Sequence, residues 1–262
     1  MTGIARPETG ASTELGRLPP PAASAFFLDV DGTLLAIATT PASVAVDPGL
    51  PRLLARLQAA VGGALALISG RAIAALDRLF PPLRLPAAGQ HGAERRDSAG
   101  RHHVHAMDPR GLAEAREIAR AFEASHAGVL TEDKGQSLAV HFRQAPEAEA
   151  ALRARLESVV AASDGELALQ PGKMVFEVKP AGRDKGTAIG EFMAEPPFRG
   201  RFPVFIGDDI TDEYGFAVVN GLGGLSVKVG PGASCARYRL TGVVEVRDWL
   251  EAYLGGSEAR SA

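Results

Sequence analysis

The stretch Phe26-Phe27-Leu28-Asp29-Val30-Asp31-Gly32-Thr33-Leu34-Leu35 decides how the rest of this 262-residue chain is read. An apolar run gives way to two carboxylates and a Gly-Thr pair, the pattern of a buried strand ending in an acidic turn. Asp29 and Asp31 are two apart, so on a strand they share a face while Val30 points into the sheet. Gly32 lets the chain turn sharply and lets backbone approach a ligand. Two carboxylates and free amides at one strand tip suit a hard cation and a phosphate. An ordinary acidic turn after a core strand fits the same ten residues, so the rest of the chain must decide.

Working outward, a loop with Thr39-Thr40-Pro41 leads to Asp47-Pro48, which opens a helix with Asp47 as its cap and Pro48 in its first turn. Leu50, Leu53, Leu54 and Leu57 form its apolar face, Gly62-Gly63 ends it, and Ala64 to Ile68 is a second buried strand. Strand, helix, strand begins a parallel α/β sheet. The second strand runs into Ser69-Gly70-Arg71 before another helix. There a hydroxyl and an amide can hold a phosphate, or Ser69 can simply cap the helix. A short strand near 85–88 leads to Gly89-Gln90-His91-Gly92-Ala93-Glu94. His91 between glycines reads equally as an exposed imidazole and as a satisfied structural histidine. His103 and His105 would share one strand face, but no third ligand has metal spacing, which favours a solvated hairpin strand.

From about residue 108 the texture changes. Gly111 to His126 is an amphipathic helix, followed by two strands around a Lys134-Gly135-Gln136 turn. Pro146 to Ala162 is another helix, and a second strand pair surrounds Pro171-Gly172-Lys173. Residues 108–178 therefore read αββαββ, with Leu138, Val140, Phe142, Met174, Phe176 and Val178 on an apolar face under two helices. The other face is polar, as antiparallel sheets allow. It is either solvated surface or a lid carrying Glu132, Lys134, Ser137, His141, Lys173 and Glu177, groups that serve sugar hydroxyls well.

After a hinge at 179–182, Asp184-Lys185-Gly186 starts a helix. A lysine in a first helical turn opposes the macrodipole and hints at an anionic partner. Phe202 to Ile206 is a buried strand that ends in Gly207-Asp208-Asp209-Ile210-Thr211-Asp212-Glu213, whose crowded acids would repel one another without a cation. Three strand tips thus offer Asp29/Asp31, Ser69 and Asp208/Asp209/Asp212, with Lys185 nearby. In open α/β sheets ligands bind beyond the carboxyl ends of the strands, so these groups should converge.

Composition narrows the classes. Hydrophobic residues make up 46%, enough for a sizeable core, and the net charge of −3 suggests no nucleic-acid surface. No apolar run approaches the roughly 20 residues that span a bilayer. Residues 1–22 read as a mobile tail without an apolar signal-peptide centre. The single Cys235 excludes an intrachain disulfide and fits a cytoplasmic protein.

The motifs in this order resemble those of the haloacid-dehalogenase-like phosphohydrolases. Asp29-Val30-Asp31-Gly32-Thr33 is similar to that family's first motif, Ser69 to its second, Lys185 to its third and Gly207-Asp208-Asp209 to its fourth. Ser69-Gly70-Arg71, Gly89 to Glu94, Gly207 to Glu213, Glu132 to Ser137 and Gly172 to Glu177 resemble its trehalose-6-phosphate phosphatase branch. The resemblance implies a Rossmann-like α/β core (23–107 and 179–262) with a parallel sheet, and an inserted α+β cap (108–178), an open-faced sheet under two helices. It implies Mg²⁺-dependent hydrolysis of trehalose 6-phosphate by a monomer, through an aspartyl-phosphate on Asp29, with Asp31 as acid and base. Ser69 and Lys185 would hold the phosphoryl oxygens, and Asp29, the Asp31 carbonyl and Asp208 would bind Mg²⁺. Asp209 and Asp212 would ligate it or support the ligands. Arg71, Gln90, His91 and Gly92 would lie near the sugar phosphate, and the polar cap face would read the glucose units. The alternatives are a phosphatase for a sucrose-phosphate or mannosyl-type substrate and a non-catalytic sugar-phosphate sensor.

Overall fold

The computed structural model describes residues 18–37, 44–105, 109–172 and 174–258. The Thr39-Thr40-Pro41 loop, Lys173 and residues 1–17 of the expected tail lie outside these. The chain divides into two compact units, residues 1–102 with 184–262, and residues 103–183. The inserted unit is wider at both ends than the 108–178 segment, and one of its strands runs on to Pro180.

In chain order the first unit has β1 (Ser24–Leu28), α1 (Leu50–Ala60), β2 (Leu65–Ile68), α2 (Ile73–Leu79), β3 (Ala87–Gly89) and β4 (Glu94–Arg96), and the edge strand β5 (His102–Val104) spans the residues at which the chain passes from the first unit to the inserted one. The inserted unit follows with α3 (Pro109–Ser125), β6 (Leu130–Asp133), β7 (Leu138–His141), α4 (Glu149–Ala161), β8 (Leu167–Gly172) and β9 (Val175–Pro180). The first unit resumes with α5 (Lys185–Met193), β10 (Phe202–Gly207), α6 (Glu213–Gly221), β11 (Leu225–Val229), β12 (Tyr238–Leu240) and α7 (Val243–Glu258). Its strands form one sheet in the order β12-β11-β10-β1-β2-β3-β4-β5, parallel from β12 through β3.

β1 is buried on both faces, which explains its unbroken apolar run. Neighbouring residues on a strand point to opposite faces. Phe26 lies 6.3 Å from Trp249 and 5.1 Å from Tyr253 of α7, ring centre to ring centre. Phe27 meets Phe198 at 5.5 Å and Phe192 of α5 at 6.1 Å on the other side. Burying such a ring stabilises the fold by about 1.5–3 kcal/mol. No helix among the described residues is long and apolar enough to cross a membrane.

Three local expectations are corrected, and one strand is added. α1 starts at Leu50 because Asp47 spends its Oδ1 on the Gly49 amide (2.7 Å) in a turn, and Pro51 takes the first helical turn instead of Pro48. Ser69 does not cap α2, since its Oγ accepts from the Arg71 amide (3.1 Å) and the helix begins only at Ile73. The end of the expected tail is tied to the core: Leu18 is buried and Tyr253 donates its hydroxyl to the Pro19 carbonyl at 3.0 Å. Charged β4 forms through pairing with β3, with Arg96 reaching the Asp77 carboxylate and the Leu85 carbonyl.

The inserted unit is an antiparallel sheet in the order β6-β7-β9-β8. Leu138, Val140, Phe176 and Val178 face Leu112, Ala115 and Ala119 of α3 and Leu152, Leu156 and Val159 of α4. The register sets Glu132 opposite Ala139, and Ala139 opposite Glu177, one residue out of phase with the apolar set. These residues therefore occupy the other face.

Candidate active site

β1 lies between β2 and β10, all three parallel, so their carboxyl ends sit side by side. That places Asp29, Ser69 and Asp208 at one end of the sheet. Lys185 arrives from α5. Asp184 caps this helix, accepting from the Thr187 amide at 2.7 Å, while Thr187 Oγ1 accepts from the Asp184 amide at 3.0 Å. The cap fixes Lys185 as the first helical residue. Its side chain is only 3% exposed, and Nζ donates to Asp29 Oδ1 and to Asp212 Oδ1, each at 2.7 Å. The carboxylates supply the anion that a lysine at this position lacks on its own helix.

Asp212 is a brace. Its Oδ1 takes Lys185 and its Oδ2 accepts the Asp208 and Asp209 amides at 2.9 and 2.8 Å. Gly207 makes room, since a Cβ there would stand 2.3 Å from Asp212 Cγ. Asp209 itself is exposed. Buried Lys228 on β11 donates to the Asp208 carbonyl. Thr33 Oγ1 donates to Asp29 Oδ2 at 3.1 Å. Gly32 has φ +86°, and a Cβ on it would fall 2.0 Å from Asp208 Oδ2. Only glycine allows both the turn and the approach of that carboxylate.

Among the described residues, Asp29, Asp208 and Asp212 form the group with metal-ligand spacing, their ligand oxygens all within 4.8 Å of one another. Asp208 Oδ1 is buried and accepts no hydrogen bond. A buried acceptor without a donor is costly, and a hard cation satisfies it. The donor set fits Mg²⁺. Burial, against the pull of Lys185 and with the push of Asp212 and Asp208, holds the Asp29 carboxyl well above the usual carboxylate range. Burial, then Asp212, raises Asp208 to about 6. Burial works against the charge on Lys185, but Asp212 and Asp29 outweigh it and raise its pKa.

Asp31 and Arg71 form a bidentate ion pair, Nε to Oδ2 and Nη2 to Oδ1, both 2.6 Å. Gln90 and His91 have φ of 50° and 55°, and Gly92 follows at 95°. Consecutive left-handed residues carry strain that the surroundings must over-determine. Here the His91 amide donates to the Ser69 carbonyl and the Gln90 amide to the Arg71 carbonyl, both at 3.0 Å. Gln90 Nε2 and the Ile73 amide both donate to Glu94 Oε1 at 2.9 Å. The His91 ring lies against Gly70, where a Cβ would come within 2.7 Å of Nε2. Gly92 approaches the Asp184 carbonyl, where α5 starts. Gln90 is buried, with its amide turned to Glu94.

On the inserted unit, Ser137 donates to Glu177 Oε1 at 2.8 Å, and Lys134 Nζ lies 3.5 Å from Glu177 Oε2. His141 Nε2 and Glu132 Oε2 are 3.3 Å apart. His141, then Lys134 against burial, lowers the Glu132 carboxyl. His105 Nδ1 pairs with Arg183 Nη2 at 2.8 Å.

Thr33, Glu94 and Lys228 support this geometry; Thr33 and Glu94 stand in the quoted motifs without a role of their own, and Lys228 was not singled out from sequence. Lys228 left a signal, a lone charge inside the otherwise uncharged run Leu225 to Val229. The role of Glu94 was not readable, because its partners are a backbone amide and a loop amide fixed only by the fold.

Residues 27–243 match the family model for trehalose-phosphatase. The chain is 50% identical over 231 residues to trehalose-6-phosphate phosphatase of Escherichia coli, covering 87% of this chain and 85% of the relative. It is 48% identical over 207 residues to a probable trehalose-phosphate phosphatase of Sinorhizobium fredii, covering 79% and 78%. A crystal structure of a trehalose-6-phosphate phosphatase related protein superposes with TM-score 0.75 at 26% identity, over 90% of this chain and 99% of that one. The C-terminal domain of the C. albicans trehalose-6-phosphate phosphatase shares the fold with TM-score 0.82 at 21% identity, over 97% and 99%. With a family model across most of its length and 50% identity to one relative over 87% of the chain, the chain belongs to the trehalose-phosphatase family.

Proposed function

We propose that the chain hydrolyses trehalose 6-phosphate to trehalose and phosphate, as the last step in making trehalose. The observation that carries this reading is Lys185 buried between Asp29 and Asp212 beside the unpartnered Asp208 oxygen. It is a site built for a phosphate and a cation, in a chain of this family.

Asp29 attacks phosphorus, forming a P–O bond as the bond to the sugar 6-oxygen breaks. Asp31 gives that oxygen its proton, so trehalose leaves neutral. Water then attacks the aspartyl-phosphate and returns a proton to Asp31, and the P–O bond to Asp29 breaks. Lys185 and the Ser69 hydroxyl hold phosphoryl oxygens through both steps and offset charge developing on them. Asp29, Asp208 and the Asp31 carbonyl would hold Mg²⁺, with Asp212 and Asp209 behind them. When bound, that ion neutralises charge between the Asp29 carboxylate and the phosphate dianion. Arg71, Gln90, His91 and Gly92 belong to the phosphate end of the substrate. Glu132, Lys134, Ser137, His141, Lys173 and Glu177 read the sugar hydroxyls. The exposed thiol of Cys235, held in no disulfide, supports a reducing cytoplasm.

Phosphate release with Mg²⁺ across a panel tests the reading. Trehalose 6-phosphate should be hydrolysed fastest, and a faster reaction with glucose 6-phosphate or sucrose 6-phosphate would overturn the substrate. Unchanged activity in Asp29→Asn would overturn the nucleophile.

A further inference from the structure

Both oxygens of Asp31 are engaged by one guanidinium, two charge-assisted bonds of 2.6 Å in a planar fork. A carboxyl held this way has its acceptor face turned to Arg71 and not to a sugar leaving group. The backbone of Arg71 is fixed separately, its amide on Ser69 Oγ (3.1 Å) and its carbonyl on the Gln90 amide (3.0 Å). The root of its side chain thus lies beside the hydroxyl assigned to the phosphate.

The pair is also open to exchange. Asp31 is 36% exposed and Arg71 15%, whereas Lys185 and its two carboxylates are almost fully buried. Partly exposed pairs hold far more weakly than buried ones, whose rupture strands a charge away from water. A guanidinium fork fits a phosphate as well as a carboxylate. A phosphomonoester carries about −1.5 to −2 charge near neutral pH, against −1 on a carboxylate.

We infer that Arg71 is a positioning residue displaced by substrate. In the structure it holds Asp31 aside. A seated phosphomonoester draws the guanidinium off at least one Asp31 oxygen and onto the phosphate, which frees Asp31 to face the leaving-group oxygen. The acid–base carboxyl is thereby delivered only when a phosphate is in place. This rests on the role proposed above for Asp31.

The direct test is a crystal structure of Asp29→Asn with trehalose 6-phosphate. The expected result is an Arg71 guanidinium within hydrogen-bond distance of a phosphate oxygen and no longer on both Asp31 oxygens. A guanidinium still bidentate on Asp31 with the phosphate seated overturns the inference. A displaced guanidinium with Asp31 far from the 6-oxygen supports the displacement and overturns the acid–base role instead. Kinetics give a second reading. Arg71→Met should raise KM for trehalose 6-phosphate about 10- to 100-fold, the range of a charge-assisted bond, with kcat changed less than about tenfold. Arg71→Lys should recover part of KM, since it keeps the charge and loses the fork. An unchanged KM, with kcat falling in step with thermal stability in both variants, is the behaviour of a merely structural ion pair and overturns the inference.

Discussion

Replacing Lys185 by Met keeps the length of the stem and removes the ammonium. Among the described residues, Lys185 is the one cation that directly contacts the carboxylates of Asp29 and Asp212, at 2.7 Å each, and Asp208 lies in the same cluster. Breaking a buried pair by deleting one partner costs about 3–5 kcal/mol, because the stranded charges have no water to return to. That is a large part of a total stability of roughly 5–15 kcal/mol. At about 2–4 °C per kcal/mol for a domain of this size, Tm in magnesium-free buffer should fall by about 6–20 °C. Arg56→Ala is the control. Arg56 and Glu251 approach to 2.6 Å, shorter still, but their side chains are 45% and 49% exposed, and the loss should stay under about 1 kcal/mol. The Met variant's deficit should shrink as pH falls, because the buried carboxyls can then take up protons. Added Mg²⁺ should restore part of it, while phosphate release stays down by about 10²–10³-fold. Urea and thermal unfolding at several pH values would measure this. A Lys185→Met loss no larger than that of Arg56→Ala would refute the argument that burial, and not distance, sets the worth of these contacts.

Gly32→Ala should lower Mg²⁺ affinity at least about tenfold and destabilise the protein by about 1–3 kcal/mol, since the new methyl strains the turn and displaces the Asp208 carboxylate; titration calorimetry measures the affinity. Asp208→Asn should stabilise the magnesium-free protein above pH 6. The raised pKa of Asp208 means that its charged form opposes folding, a penalty that grows as pH rises from the unfolded value of 3.8 through about 6. Mg²⁺ should then raise the Tm of wild type but not of the variant. Asp77 has the opposite sign. Its bonds to Arg96 lower its carboxyl against partial burial, so it contributes stability fully above 3.8 and loses it as pH falls through the folded value. Asp77→Asn should cost about 1–2 kcal/mol at pH 7, and the difference from wild type in urea unfolding should vanish in strong acid.

The alternation of apolar and acidic residues around Asp29 and the leucine spacing of α1 were legible because they are local. A strand buried on both faces must be apolar throughout, and a helix face must repeat every three to four residues. The helix start at Asp184-Lys185-Gly186 was legible for the same reason, and the structure adds that Asp184 caps it through Thr187. The start of α1, the use of Ser69 and the existence of β4 were not, because each depends on which of several hydrogen-bond partners wins after folding. Asp47 turns to Gly49, Ser69 accepts from Arg71, and Arg96 reaches back to Asp77.

The sequence by itself determined which residue types stand at the strand tips, since carboxylates, a hydroxyl and a lysine after apolar runs have few other uses. Only the tertiary structure decided how those groups divide their bonds. Lys185 is shared between Asp29 and Asp212, Asp208 keeps an oxygen open, and Asp31 is clasped by Arg71. The physical reason is that pairing strength depends on burial and on the competition among partners brought together from residues 29, 71, 185, 208 and 212, which no local pattern encodes.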